Sequence, residues 1–543
     1  VILCDKPWIR KCSPMSRELF REAALRQIPK ILTLLDRNPH SPTYGSFDRN
    51  YWHYRMIDFP SGMAQEFVLP LALSYELNIP NNPYHHQQAI RDWVEAGILF
   101  AARSAHRDGS CDDYFPYERA GGAAAFSLLA CVDSYSLLSL ENEEMLRFFK
   151  RRAHWLARHH ESGRLSNHQA LIALCLELLG RVLNTGEWNQ ARDERIERVL
   201  SWQSAEGWFQ EYEGCDPGYH TLTLSCLARL YELRPSAQLK AALTHAITLA
   251  AEFIHPDGSF GGEYGSRNTY NFFPHGFELA GKWTAEALAV NDRFLVGLAN
   301  GLGACYDDDH IIGHHAWNYL MAWRDFIERR PELTDRPRGR VNLREAGILI
   351  DRREDTEIYI GLNKGGVFKL FRNERLVVSD THASLRVRSD GKLRNAVAHL
   401  IDEYQNEAGE HEITIRGRFG WAKQTQMTTP RLLLLRLVMT TVGRLFPNFI
   451  RKLLQSMLIT GKKPAPFQFT RTFKWESGWI VTDEIRAESW SNVEAAGIGC
   501  DQTSIYVVMS RTFQTGQLQP WLDLTPEVRK LAPGQPLTLE RKL

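Results

Sequence analysis

An excess of charge of either sign is missing from this chain. Lys and Arg total 65 against 64 Asp and Glu, a formal net charge of +1, so no global field draws it to nucleic acid or to an anionic membrane. No nucleic-acid partner is expected, and a polyanion would have to be held by a local patch. Paired cysteine motifs are missing as well. The nine Cys are odd in number, none stands in a CxxC, and Cys131, Cys175 and Cys226 lie inside apolar helical runs. They read as buried thiols, not as a disulfide framework. A reducing compartment follows, so a cytoplasmic location is expected, or a periplasmic one if a leader has been removed ahead of Val1. No uninterrupted apolar run reaches membrane-spanning length. There is also no HExxH or other closed ligand set. The cluster Asp307-Asp308-Asp309-His310, with His314 and His315, reads as an acidic run at a helix start, and neither metal nor other cofactor is expected.

The 543 residues are too many for one hydrophobic core, which predicts two large domains. The 15 Trp, 18 Tyr and 26 Phe suit both helix-rich cores and the stacking of sugar rings. Residues 15–330 show helical periodicity with few alternating β-branched stretches. A Gly-bearing turn recurs at Asp108-Gly109-Ser110, Glu161-Ser162-Gly163, Glu206-Gly207-Trp208-Phe209 and Asp257-Gly258-Ser259-Phe260. Each turn precedes a polar or aromatic pair and then an apolar helix: Glu118-Arg119, Asn167-His168, Tyr219-His220 and Pro274-His275, with His314-His315 as a fifth pair. The pairs are 49, 52, 55 and 40 residues apart, one helical hairpin per repeat. Residues 170–179 are apolar almost all round, as a helix buried on every side must be, whereas 191–202 are charged and amphipathic. Inner and outer helices thus alternate, the pattern of an (α/α) toroid, an incomplete barrel of hairpins over 1–335 in which the five pairs gather at one rim.

From residue 344 to 543 the pattern becomes short alternating segments broken by Asn-Lys-Gly and Ser-Asp-Gly turns, which predicts an antiparallel β-sandwich behind a Pro- and Arg-rich linker at 330–343. One stretch fits neither domain. Residues 430–463 carry Arg431, Arg436, Arg444, Arg451, Lys452, Lys462 and Lys463 and no acid. This is a basic amphipathic insertion, either a helix packed on the body of the protein or a contact for a membrane surface or protein partner.

The stretch Glu206-Gly207-Trp208-Phe209-Gln210-Glu211, followed by Asp216-Pro217-Gly218-Tyr219-His220, resembles the Gly-x-x-x-Glu and Tyr-His signature of the heparinase II/III-like family. Ser166-Asn167-His168 is similar to that family's Asn-His helix opening. The resemblance implies a helical toroid before a β-sandwich, an acidic polysaccharide or oligosaccharide as partner, and β-elimination at a 4-linked uronic acid. That chemistry needs a base for the C5 proton, a neutraliser for the neighbouring carboxylate, and an acid for the leaving oxygen at C4. The resemblance implies Tyr219 as base and acid and Asn167 and His168 as neutralisers, with His275 beside them. Arg119, Glu118, His220, Arg267, Tyr264 and His314 stand as substrate-binding candidates. Each also has a plainer reading: Asn167 is a good helix N-cap, His168 suits a satisfied histidine on a buried helix, and Arg267 lies in a polar loop. The family's sandwich often supplies a His from a His-x-His-Ala-Asp motif, and this chain has Asp380-Thr381-His382-Ala383-Ser384 instead.

A polysaccharide lyase is the leading expectation. A uronyl C5-epimerase needs the same proton abstraction, and a toroid that binds polysaccharide without catalysis, in an exopolysaccharide assembly system, fits the weak His motif. A glycoside hydrolase would need two carboxylates across the cleft; Glu118, Glu211 and Glu263 are available, with no spacing that pairs them.

Overall fold

The computed structural model describes residues 16–543, apart from 162, 213, 305–310, 390, 423–425, 447–448, 451–461, 500–511 and 519–520. The Asp307–His310 run lies outside the described residues.

Helices fill the chain as far as Arg324 and antiparallel sheets begin at Gly339. Among the described residues six inner helices, Val68–Glu76, Gly121–Leu137, Ser166–Val182, Pro217–Leu233, His275–Ala280 and Ile311–Arg324, each pack on the next, and the last packs on the first. The ring therefore closes where an incomplete barrel was expected. Burial explains the inner helices: Ala123 through Val132 are all buried, as are Gln169 through Glu177, so an apolar side chain is favoured at every angle around the axis. The outer helices bury one stripe. Glu143–Arg158 buries Met145, Phe148, Phe149, Arg152, Ala153 and Leu156, and Asn142 caps it by accepting from the Glu144 and Met145 amides.

Three of the repeated Gly turns share one geometry. In each the amide of the first residue bonds to the carbonyl four residues on, and the fourth residue's amide returns to the first: His106 with Ser110 and Gly109, Ser204 with Trp208 and Gly207, His255 with Ser259 and Gly258. Gly109, Gly207 and Gly258 have φ of +93°, +101° and +84°. A Cβ there would lie 2.5 Å or less from the backbone of the neighbouring outer helix, at Arg152, His245 and Gly297. Handedness and close approach both require glycine.

The β domain consists of a five-stranded and a nine-stranded antiparallel sheet among the described residues. The first strand, Gly339–Leu343, occupies the end of the expected linker. Its pairing with Ile348–Arg353 satisfies backbone groups that a free linker would leave to water. Between the sheets, Ile358, Ile360, Phe368 and Leu370 pack with Ile413, Ile415, Phe469 and Phe473. A charge network is embedded in this core. Arg471, fully buried, donates to Asp380 at 2.9 Å and to Asp483 at 2.6 Å, and Arg541 reaches the same two carboxylates at 2.7 and 2.9 Å. Burial would raise both acids, but the Arg471 guanidinium holds them below the ordinary carboxylate range. His382, the stand-in for the family's sandwich histidine, belongs to this interior. Its φ is +74°, its ring meets Phe469 edge-on at 4.5 Å, and its amide donates to Asp380.

The two domains meet on the rim that carries the repeat turns. Glu206 accepts from the Glu345 and Ala346 amides at 2.9 Å, Arg352 pairs with Glu252, and Lys369 pairs with the fully buried Glu263 at 3.1 Å. The basic insertion begins as the helix Thr429–Val438 and lies along the toroid. Arg436 pairs with Asp58 at 2.6 Å and Arg444 stands over the Tyr117 ring.

Replacing Arg471 with Met is expected to destabilise the β domain by about 3–5 kcal/mol, because two buried carboxylates lose their main partner. The sign with pH is informative. In the native protein these acids have lowered pKa values and contribute stability that is lost as pH falls. In the variant they prefer the neutral form, so mild acid recovers part of the loss. Denaturant unfolding across pH 4–8 checks both points; a variant of native stability would show that Arg541 suffices.

Candidate functional site

Asp216 begins the site. It caps the Pro217–Leu233 helix by accepting from the Tyr219 amide at 3.0 Å, and Pro217 follows at the first helical position. The same carboxylate accepts the Arg267 amide at 3.1 Å and the Thr269 hydroxyl. One fully buried side chain therefore fixes both the start of the Tyr219 helix and the loop that carries Arg267. Gly218 makes room for that loop, since a Cβ there would lie 2.2 Å from the Thr269 hydroxyl oxygen.

A short hairpin, Gln210–Glu211 paired with Gly214–Cys215, joins this unit to the preceding inner helix. Ser166 donates to the Gln210 carbonyl at 2.7 Å, and Leu165 bridges to Glu211. Glu211 is buried at the centre: it accepts Asn167 Nδ2 at 2.8 Å on one oxygen and Arg267 at 3.0 Å on the other. Burial outweighs the Arg267 cation and pushes its carboxyl up to about 7. The Arg267 guanidinium lies over the rings of Tyr219 and Tyr212, at 4.4 and 4.5 Å. Burial likewise dominates Tyr219, raising its phenol to about 12, with Arg267 pulling down and Glu211 pushing up. His168 Nδ1 sits 2.5 Å from Glu161. Gly122 makes room for the imidazole, because a Cβ there would lie 2.7 Å from its Cε1.

Tyr219, Asn167, His168 and Arg267 therefore form one rim cluster around Glu211. Asn167 is buried below it, its amide committed to Glu211, while Tyr219, His168 and Arg267 keep partial exposure. Four of the other expected residues, His220, His275, Tyr264 and His314, are buried in other contacts. His220 is buried between helices, with Nε2 2.9 Å from the Ala246 carbonyl and the ring stacked on Phe209; desolvation lowers its pKa to about 4. His275 is not at the rim. Residues 268–274 run without helix, and Gly276 packs on Ser225, deep along the neighbouring helix. There His275 bonds to Asp325 at 2.7 Å, and burial lowers it to about 4. Tyr264 is buried in the domain interface, its hydroxyl on His255 at 3.0 Å and its ring stacked on Tyr359. His314 pairs with Glu66 and stacks on Phe126 inside the ring. Glu118 spends one oxygen on the Asp113, Tyr114 and Phe115 amides. Arg119, at φ +55°, reaches Asp108 at 3.4 Å. No group of three or more potential metal ligands occurs among the described residues.

Sequence reasoning passed over three parts of the cluster. Asp216-Pro217 is a readable cap signature, but its second task, on a loop some fifty residues away, is not. Glu211 was visible as a carboxylate and not as the hub. Glu161, in a repeat turn, showed no link to His168.

Asp216→Ala should cost about 2–4 kcal/mol, a lost cap plus buried donors left unpaired. Amide exchange should rise specifically at 266–269. A loss under about 1 kcal/mol with unchanged exchange would mean that the loop is held from the β domain instead.

No family model and no curated protein matches the sequence. Solved structures do match. The chondroitin AC lyase of Streptomyces coelicolor A3, solved with chondroitin sulphate, is 10% identical with a TM-score of 0.51, over 91% of this chain and 69% of that one. A Paenibacillus xanthan lyase is 10% identical with a TM-score of 0.49, over 89% of this chain and 46% of its own, so the present chain spans about half of that enzyme. A heparinase III is 11% identical with a TM-score of 0.45, over 89% of this chain and 78% of that one. The chain shares the fold of that chondroitin AC lyase, a ring of helical hairpins followed by antiparallel β-sheets.

Proposed function

We propose that the chain is a polysaccharide lyase that cleaves a uronate-containing polysaccharide by β-elimination. The observation that carries this reading is the stacking of the Arg267 guanidinium on the Tyr219 ring, beside His168 and above the Asn167–Glu211 pair. A uronate seated here would set its carboxylate against Arg267 and His168. The Arg267 charge, with a hydrogen bond from His168, offsets the second negative charge that develops when C5 loses its proton. The C5–H and C4–O bonds break, a C4–C5 double bond forms, and the leaving oxygen takes a proton. Tyr219 is protonated at neutral pH in the free protein, since its phenol lies near 12, and so is ready as the acid. For the first step it must be ionised, which demands more positive charge beside it than the free protein provides.

Glu211 regulates that charge. Ionised, it neutralises Arg267 and repels an incoming carboxylate. Protonated, it leaves the guanidinium uncompensated above the phenol and removes one of the negative charges that oppose Tyr219 ionisation. Because its carboxyl lies near 7, this change falls at neutral pH.

Tyr219→Phe should lower kcat by on the order of 100-fold or more while leaving the melting temperature unchanged, since no core volume is lost. The assay is a panel of acidic polysaccharides followed by absorbance of the unsaturated product. Inversion at C5 without unsaturation would replace the lyase by an epimerase, and near-native turnover of the variant would remove Tyr219 from the chemistry.

His168→Ala should reduce kcat/KM on acidic oligosaccharides by on the order of 100-fold and far less on the same sugars esterified at the carboxylate. Equal losses on both substrates would assign His168 to the scaffold.

The KM for acidic substrate should rise as pH passes upward through about 7, where Glu211 ionises. Glu211→Gln, neutral throughout, should flatten that profile. A variant whose KM profile still rises near pH 7 would trace the dependence to another group.

A further inference from the structure

The basic insertion has an outer face that packing on the toroid does not explain. Met439 and Gly443 are buried and Arg436 and Val438 half-buried, and the contacts with the toroid run through Arg436, on Asp58 and over the Phe59 ring, and Arg444, over the Tyr117 ring. A helix docked in this way and otherwise facing water should be polar on its far side. Here Leu433, Leu434 and Leu437 on the helix, and Leu445, Phe446 and Phe449 after it, are each at least 60% exposed. The toroid loop next to it, joined through the Arg436–Asp58 pair, adds exposed Tyr54 and Met56.

We infer that this face seats the protein on the surface of an anionic lipid bilayer. Charge selects that occupant. Between Glu412 and Glu476 the sequence has no Asp or Glu, whereas acids and bases are balanced over the whole chain. Basic residues are distributed through the insertion at Arg431, Arg436, Arg444, Lys462 and Lys463. Arg436 and Lys462 are paired with Asp58 and Asp402, which leaves Arg431 and Lys463 exposed beside the apolar side chains. Exposed Leu and Phe interleaved with such cations is the composition of an interfacial anchor: apolar side chains enter the acyl boundary and the exposed cations meet lipid phosphates. No described helix is long and apolar enough to cross a membrane. A protein partner would need acidic groups to match the same cations, and a second copy of this chain presents the same basic face, which repels its like.

The test is co-sedimentation of the full chain with vesicles of phosphatidylcholine alone or with one-third phosphatidylglycerol. Binding to the anionic vesicles is expected to exceed binding to the neutral ones by about ten-fold or more and to weaken in high salt. Leu434→Ser/Leu437→Ser/Phe446→Ser should abolish it, and Arg431→Gln/Lys463→Gln should remove the preference for anionic lipid. Both variants change exposed side chains, so unchanged melting curves exclude misfolding as the cause. The proposal is overturned if wild type stays in the supernatant with both vesicles, or if it binds and the apolar triple variant binds equally. It is also overturned if light scattering finds a dimer that the triple variant loses while lipid binding is absent.

Discussion

One buried carboxylate, Asp216, sets the geometry on which the candidate site depends. It ends the approach to the Tyr219 helix by capping it, and it pins the backbone of the Arg267 loop to that cap. The phenol and the guanidinium therefore come together because two distant segments share one acceptor. A side chain with several acceptor positions is suited to that task, and a buried carboxylate is tolerated when its oxygens are met by donors. The stacking of Arg267 on Tyr219, the reach of Arg267 to Glu211, and the tie from Glu211 to Asn167 all follow from this placement.

The β domain reinforces the same loop from the other side. Lys369 pairs with Glu263, and Lys364 donates to the Glu263 carbonyl. Burial pulls the Lys364 ammonium down to about 8, against nearby acids that favour its charge. The rim cluster is thus built by the toroid and braced by the sheets. His382, which stands where the resembled family often has a sandwich histidine, serves the sandwich interior instead, beside the Arg471 network. Among the described residues the rim cluster is drawn from the toroid, with the β domain bracing the 261–270 segment through Lys364 and Lys369.

Much of the toroid was legible because its determinants are local. Inner helices buried on all sides need apolar residues at every position, outer ones need a stripe, and the repeat turns need a glycine at positive φ wherever the neighbouring helix backbone comes close. The Tyr219 and Asn167-His168 pairs were found at the rim by the same logic, since they follow those turns at short range. Pro274-His275 misled because the intervening segment runs without helix and carries the pair deep along the ring, where it meets Asp325. His220 and Tyr264 misled for a related reason: adjacency to a rim residue in sequence says nothing about which way a helical or loop side chain points.

What the sequence by itself determined is the order of the two domains, the alternation of inner and outer helices and the basic, acid-free character of the insertion. These rest on periodicity and composition, which short-range sterics and burial translate directly into structure. Tertiary structure alone decided that Glu211 is the hub of the cluster and that Asp216 holds the Arg267 loop. It also decided that the insertion's apolar side faces outward. Each of these depends on contacts between segments far apart in the chain, and on how much water is excluded around a charge. Neither quantity is written in any local run of residues; both exist once the ring has closed and the sheets have docked on its rim.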